Sequence, residues 1–252
     1  MGLNKDGWIN AILLVAGKGK RLKPFTNSMP KPLTEVNGVP IVKNALQHLA
    51  DFGVKNVYLV TGYLHEQLME FCRLNSFGLN LHEIYNPDYA DTNNMYSLWL
   101  AKEILSQGTL LIEGDVFFER NVLQALKTRP PTKNYWLADE FASFGEGCML
   151  KTDDANTVTQ LQIVRNRLED QGKNCYKSAG ILAITPGTGD QIGRWLEEDI
   201  RRGRVDVYYD LILADHLAEA QFEIINIHGK KWFEIDDLDD LKKAEALFAQ
   251  HR

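Results

Sequence analysis

Apolar runs and amphipathic stretches alternate along the first half of the chain. Ala11–Val15 is a short continuous apolar run that stops at Gly17, the pattern of a buried strand. Ile41–Phe52 puts Val42, Ala45, Leu46, Leu49 and Phe52 at helical spacing on one face. Val57–Thr61 predicts the next strand, Leu64–Cys72 a helix and Leu79–Tyr85 a strand. Met95–Leu105 predicts another helix, and Leu110–Glu113 a strand that runs into Gly114 and Asp115. This alternation predicts an α/β fold, with a mostly parallel central sheet flanked by helices on both faces.

After Pro130 the rhythm changes. Tyr135–Ala138, Cys148–Lys151, Val158–Ile163 and Ser178–Ile184 read as strands with few helices between them, predicting a small antiparallel extension over the ligand side of the sheet. Helices are predicted at Gly189–Arg202 and Tyr208–Ala218, a strand at Phe222–Ile227 and a last helix at Leu238–Phe248. No repeat or linker interrupts the pattern, so residues 1–252 are expected to form a single domain.

Composition narrows the class. A chain of 252 residues can bury a substantial core. Its formal charge of -6 argues against a general nucleic-acid binder. Cys72, Cys148 and Cys175 show no CxxC spacing, which favours a reducing compartment over a disulfide frame or zinc site. No segment reaches the ~18 continuous apolar residues of a membrane span, and MGLNKDGWIN lacks a signal-peptide core. The expectation is a cytoplasmic, soluble protein without membrane insertion.

Against that acidic background, Lys18, Lys20, Arg21, Lys23 and Lys31 crowd around two glycines with no acid among them. Ligands of open α/β sheets bind at the carboxyl ends of strands, where Ala16–Lys20 lies. Gly17 and Gly19 are expected to allow positive φ and a close approach of backbone to ligand. Exposed amides in such a turn form an anion nest. GKGKRL lacks the third glycine of GxGxxG, and GxxxxGK[ST] is absent. On the glycines alone, a strand-to-helix turn decorated with solvated lysines explains the stretch equally well.

The longer pattern AGKGKRLKPFT…PKPL resembles the signature of nucleotidyltransferases that couple a nucleoside triphosphate to a phosphorylated sugar or alcohol. Gly17, Gly19, Arg21, Pro24, Lys31 and Pro32 match it position by position. The resemblance implies a Rossmann-like, GT-A-like fold. It implies that backbone at Ala16, Gly17 and Gly19 holds the triphosphate, that Arg21 meets its β/γ end, and that Lys31 offsets repulsion at the α-phosphate.

It also implies Mg²⁺, an ion that takes one or two carboxylates together with phosphate oxygens. Asp115 and Asp236 match the family's metal-binding aspartates, and Glu234 is a supporting candidate. Read singly, Asp115 is more commonly a turn residue, and Asp236 or Asp237 a helix N-cap. Only together with the first motif do Asp115 and Asp236 favour metal binding. Asp239 and Asp240 read as a solvated helix face.

YNPDYADTNNMYSLWLAKE is similar to the corresponding region of bacterial CTP:phosphocholine cytidylyltransferases and of relatives acting on aminoethylphosphonate. VDVYYD and the EID of Glu234–Asp236 add to that similarity. Asn93 and Asn94 are candidates for reading a cytosine edge, with Ser97 one turn on. Asp91 and the DTNN stretch read equally as a helix start. Tyr209 and Asp210 match the acceptor-headgroup region; Trp136, Glu140 and Tyr176 are possible neighbours, and Lys177 a candidate for the acceptor phosphate. GEGCML stands where an aromatic residue is expected in the phosphocholine enzymes. The resemblance thus implies a Mg²⁺-dependent cytidylyltransferase joining CTP to a small phosphate or phosphonate acceptor. A sugar-1-phosphate nucleotidyltransferase using another nucleotide, and a non-catalytic nucleotide sensor, remain alternatives.

Overall fold

The computed structural model describes residues 7–140, 146–164 and 173–249. The chain runs β1 (Asn10–Val15), β2 (Glu35–Val36), β3 (Val39–Pro40), α1 (Ile41–Phe52), β4 (Asn56–Thr61), α2 (His65–Leu74) and β5 (Asn80–Tyr85). It continues through α3 (Asn94–Leu100), α4 (Lys102–Leu105), β6 (Thr109–Glu113), β7 (Val116–Phe118), α5 (Arg120–Gln124), β8 (Asn134–Glu140), β9 (Gly147–Thr152) and β10 (Val158–Val164). The last part comprises β11 (Cys175–Ile184), α6 (Pro186–Arg201), α7 (Tyr209–Asp215), α8 (Leu217–Ala220), β12 (Phe222–Asn226), β13 (Trp232–Glu234) and α9 (Leu238–Leu247).

β1 is paired in parallel with β4 on one side and β6 on the other, and β5 extends the parallel set beyond β4. The predicted βαβα succession produces this arrangement because each helix carries the chain back to start the next parallel strand. Alternation along β1 divides the core. Ala11, Leu13 and Val15 join one cluster with the buried face of α1, whereas Ile12 joins a second with residues of α3, α4, α6 and α7. The sheet is therefore covered on both faces, as the apolar pattern predicts.

β11 joins the parallel part to the antiparallel extension. Along one edge, residues 175–177 pair with β9 and residues 181–184 with β6; β8 runs along the other edge. The register shifts between Ser178 and Ile181, so a bulge lies where β11 changes partners. Gly180 adopts φ +64 there, and its amide donates to Ser178 Oγ.

Two predicted helices are each divided. Met95–Leu105 breaks at Ala101, whose N–H turns back to Leu98 O at 3.0 Å. The break lets both Trp99 and Lys102 reach Glu197 on α6. Tyr208–Ala218 breaks at His216, which has φ -130. The β2–β3 hairpin, α5, and the short strands β7 and β13 were not expected from the pattern. β7 and β13 pair antiparallel, Trp232 opposite Phe118 and Glu234 opposite Val116.

Candidate active site

The carboxyl ends of the parallel strands open into a cleft of about 1440 Å³. The basic turn forms one wall. Gly19 is left-handed at φ 59, and a Cβ there would lie 2.8 Å from the Lys31 Cβ, so only glycine lets the turn pack against that lysine. Thr26 Oγ1 donates to Gly19 O at 2.8 Å and pins the turn. The expectation of positive φ at Gly17 is incorrect. Gly17 stays outside the left-handed region and faces open space in the cleft, because the reversal is made at Gly19 alone.

Lys31 occupies a short 3-10 turn between Pro30 and Pro32. Its Nζ donates to Asp115 Oδ2 at 2.7 Å and to Asp236 Oδ1 at 3.0 Å, while Arg21 Nη2 meets Asp236 Oδ1 at 2.9 Å. Asp115 follows β6, and Asp236 follows β13. The β7–β13 ladder joins these segments, and Ile235 N–H donates to Asp115 O at 2.9 Å. A small core of Leu22, Val36, Phe117, Ile235 and Leu241 locks basic turn, ladder and α9 together. Asp237 caps α9 by accepting from the amides of Asp239 and Asp240, which leaves the carboxylate of Asp236 turned to the cleft.

Burial would lower the Lys31 ammonium pKa, but the flanking carboxylates of Asp115 and Asp236 outweigh it and raise it. Burial would likewise raise the Asp236 carboxyl, yet Lys31 and Arg21 hold it below its ordinary value. Glu113 ends β6, two residues before Asp115. Burial, reinforced by Asp210, Asp115 and Glu234, pushes Glu113 well above the carboxylate range. Tyr209 Oη donates to Glu113 Oε1 at 2.8 Å. Glu234 is raised by burial against the opposing pull of Lys177, whose Nζ lies 2.5 Å from Glu234 Oε2.

Oxygen atoms of Glu113, Asp115 and Glu234 all lie within 4.8 Å of one another. Asp115 Oδ1 is buried and has no hydrogen-bond partner among the described residues. A buried, unpaired carboxylate oxygen is costly unless a donor or cation satisfies it. An all-oxygen donor set with one such atom fits a hard divalent cation. Glu113 escaped the sequence reading, although the period of two in LLIEGD puts it on the same side as Asp115.

Asn93, Asn94 and Ser97 line the cleft, and the side-chain oxygen of each is already engaged as an acceptor. Asn93 Oδ1 caps α3 by accepting from Asn94 N, and Ser97 Oγ accepts from Asn86 Nδ2 at 3.1 Å. Asn94 Oδ1 accepts from Tyr209 N at 2.9 Å. Asp91 borders the cleft in the preceding turn. Tyr209 and Asp210 are buried at the start of α7, Asp210 against the cleft, and Ala16 borders it from the end of β1.

Three suggested acceptor neighbours do not border the cleft. Trp136 is fully buried with its indole N–H on Ser178 Oγ, and Tyr176 packs against the second core cluster. Glu140 is taken up at the outer side by Asn226. Their strand positions point them away from the cleft. Instead Glu146, Gly147 and Cys148 line it. A Cβ on Gly147 would lie 2.1 Å from Lys177 Nζ, so this glycine makes the path along which the lysine reaches Glu234.

A model of the nucleotidyl transferase family matches residues 10–138, from β1 through β8. This chain belongs to that family. The nucleotidyltransferase is 32% identical over 248 residues to CMP-5'-(3-aminopropyl)phosphonate synthase of Streptomyces rubellomurinus, covering 97% of this chain and 39% of the length of that relative. It is 26% identical to 2-aminoethylphosphonate cytidylyltransferase of Lancefieldella rimae, with 92% of this chain and 90% of the relative covered. The solved CTP:phosphocholine cytidylyltransferase from Streptococcus pneumoniae superposes with a TM-score of 0.78 at 25% identity, covering 95% of this chain and 99% of the other. Enzymes of the family generally use a divalent metal, and the carboxylates of Glu113, Asp115 and Glu234 form a cluster able to hold one.

Proposed function

We propose that this nucleotidyltransferase is a Mg²⁺-dependent cytidylyltransferase, which joins CTP to a small phosphate or phosphonate bearing a cationic end and releases pyrophosphate. The observation that carries the reading is the meeting of Lys31 with both Asp115 and Asp236 beside the glycine turn. It unites in one cleft the anion-binding backbone and the oxygen donors that the reaction requires. Similarity along the chain to a CMP-5'-(3-aminopropyl)phosphonate synthase and to two cytidylyltransferases supports CTP as the nucleotide.

Asp115 and Asp236 would hold the ion, with Glu113 and Glu234 near enough to Asp115 to assist. When bound, Mg²⁺ neutralises phosphate charge and orients the triphosphate. The protein's own groups do the rest. Amides of the glycine turn and Arg21 retain the triphosphate, and Lys31 lowers the repulsion between incoming and resident phosphoryl oxygens. A phosphate or phosphonate dianion is already a nucleophile, so attack in line on the α-phosphorus needs no base from the protein. Catalysis rests on positioning and charge.

For the acceptor, the buried Asp210 and the half-buried Glu113 and Glu234, with Lys177 offsetting part of their charge, favour an ammonium group. A primary ammonium donates hydrogen bonds that these carboxylates accept, whereas a trimethylammonium offers none and favours aromatic faces. Trp136 and Tyr176 supply no such face. Tyr89, Tyr208 and Phe233 do line the cleft, so the preference for an aminoalkylphosphonate over phosphocholine rests on the carboxylates.

The test is pyrophosphate release with CTP, UTP, GTP or TTP against phosphocholine, phosphoethanolamine, 2-aminoethylphosphonate and sugar 1-phosphates. CTP with an aminoalkyl acceptor should give the highest kcat/KM. Preference for another nucleotide, or for sugar phosphates, refutes the reading. Asp115→Asn should lower kcat by about 100-fold or more with an unchanged far-UV circular dichroism spectrum. Near-normal turnover would remove Asp115 from the metal site.

A further inference from the structure

We propose that Asn94 is a positioning residue for the acceptor half of the cleft rather than a reader of the nucleotide base. The inference rests on the proposed two-substrate reaction. Asn94 lies at the start of α3, in the stretch from which base contacts were expected. Its amide oxygen is instead spent on the backbone N–H of Tyr209, 115 residues further along the chain. The preceding residue repeats the connection, since Asn93 N–H donates to Val205 O at 3.0 Å. The segment 205–209 is thus strapped to the first turn of α3 at both ends.

The strap fixes the start of α7. Tyr209 opens that helix, and its N–H belongs to a first turn that has no intrahelical acceptor. Asn94 supplies that acceptor. From the same residue the phenol Oη donates to Glu113 Oε1, so Tyr209 is held by its backbone on one side and its side chain on the other. Asp210 comes next, buried against the cleft, with its carboxylate in a hydrogen bond with Cys148. Releasing the Asn94 bond frees the start of α7 and loosens Tyr209 and Asp210, while Glu113 stays fixed by β6. The glycine turn is tied to a separate core through Leu22, and Lys31 is held by Asp115 and Asp236, so both stay in place. Loss of Asn94 should therefore fall on the acceptor and spare the nucleotide.

The experiment is steady-state kinetics with CTP, Mg²⁺ and 2-aminoethylphosphonate on the full chain, together with CTP binding by calorimetry in the absence of acceptor. Loss of one neutral hydrogen bond predicts a rise in acceptor KM of about threefold to tenfold for Asn94→Ala. The CTP dissociation constant should remain that of the wild type. Asn94→Asp keeps an oxygen acceptor in the same place and should recover most of the acceptor KM. Should Asn94→Ala prove insoluble, Asn94→Gln shifts the oxygen by one methylene and should give the same split. Weakened CTP binding, equal loss for both substrates, no change in either, or failure of Asn94→Asp to recover overturns the proposal. A wild-type enzyme that does not turn over these substrates overturns the functional reading first; wild-type turnover without the split overturns the strap alone.

Discussion

Lys31 touches two carboxylates that lie 84 and 205 residues away in sequence. Removing one partner of such a partly buried set leaves the rest uncompensated, so the three side chains act as a unit. Asp210 gives the sharpest test at this scale. Burial pushes its carboxyl from the ordinary 3.8 up to about 6, against the opposing hydrogen bond from Cys148. Between those values the folded protein keeps a proton that the unfolded chain has released. Stability from this group therefore falls as pH rises through the window and is fully lost above it. Urea denaturation at a series of pH values should show the wild type losing stability relative to Asp210→Asn from 3.8 towards 6. Parallel curves would contradict the buried protonated state. Much of the site was legible in single residues: the pattern around Lys31 fixed the basic wall, and the EID of Glu234–Asp236 pointed to the second acid. The capping role of Asn93 was legible in DTNN, whereas that of Asn94 was not, because its amide oxygen's partner lies more than a hundred residues away.

Elements were predictable where their period was long and clear. α1 spans the expected Ile41–Phe52 because its apolar face repeats over three turns. β7 and β13 were not, since three residues carry too little pattern to stand out from a loop. The bulge in β11 was hidden for another reason: it arises where one strand changes partners, which is a property of the sheet and not of the strand's own residues. It also yields a prediction. A Cβ at Gly180 would lie 2.7 Å from Glu113 Oε2, and the residue has φ +64. Gly180→Ala should cost about 1–3 kcal/mol in urea denaturation, and should raise the KM for acceptor through displacement of Glu113. A variant as stable and active as wild type would show that the bulge relaxes freely.

At the scale of the molecule, we propose that the chain unfolds as one domain. β11 pairs with strands of both the parallel set and the antiparallel extension, so neither part can lose its order without exposing an edge of the other. Thermal melts followed by tryptophan fluorescence and by far-UV circular dichroism should coincide in one transition; separated midpoints would divide the chain into two units. The parallel architecture was readable from the alternation of strands and helices. The union of β6 with β11, which seats the extension beside the cleft, was not, because register across non-local strands leaves no periodic trace. The ladder of β7 with β13 has a consequence for a chain emerging from the ribosome. On the proposed assignment of Asp236, a nascent polypeptide halted before Trp232 already holds the glycine turn, Lys31 and Asp115, but not the strand that delivers the second acid. Unfinished copies would then spend no CTP, and enzymatic competence would arrive in a single late event of synthesis.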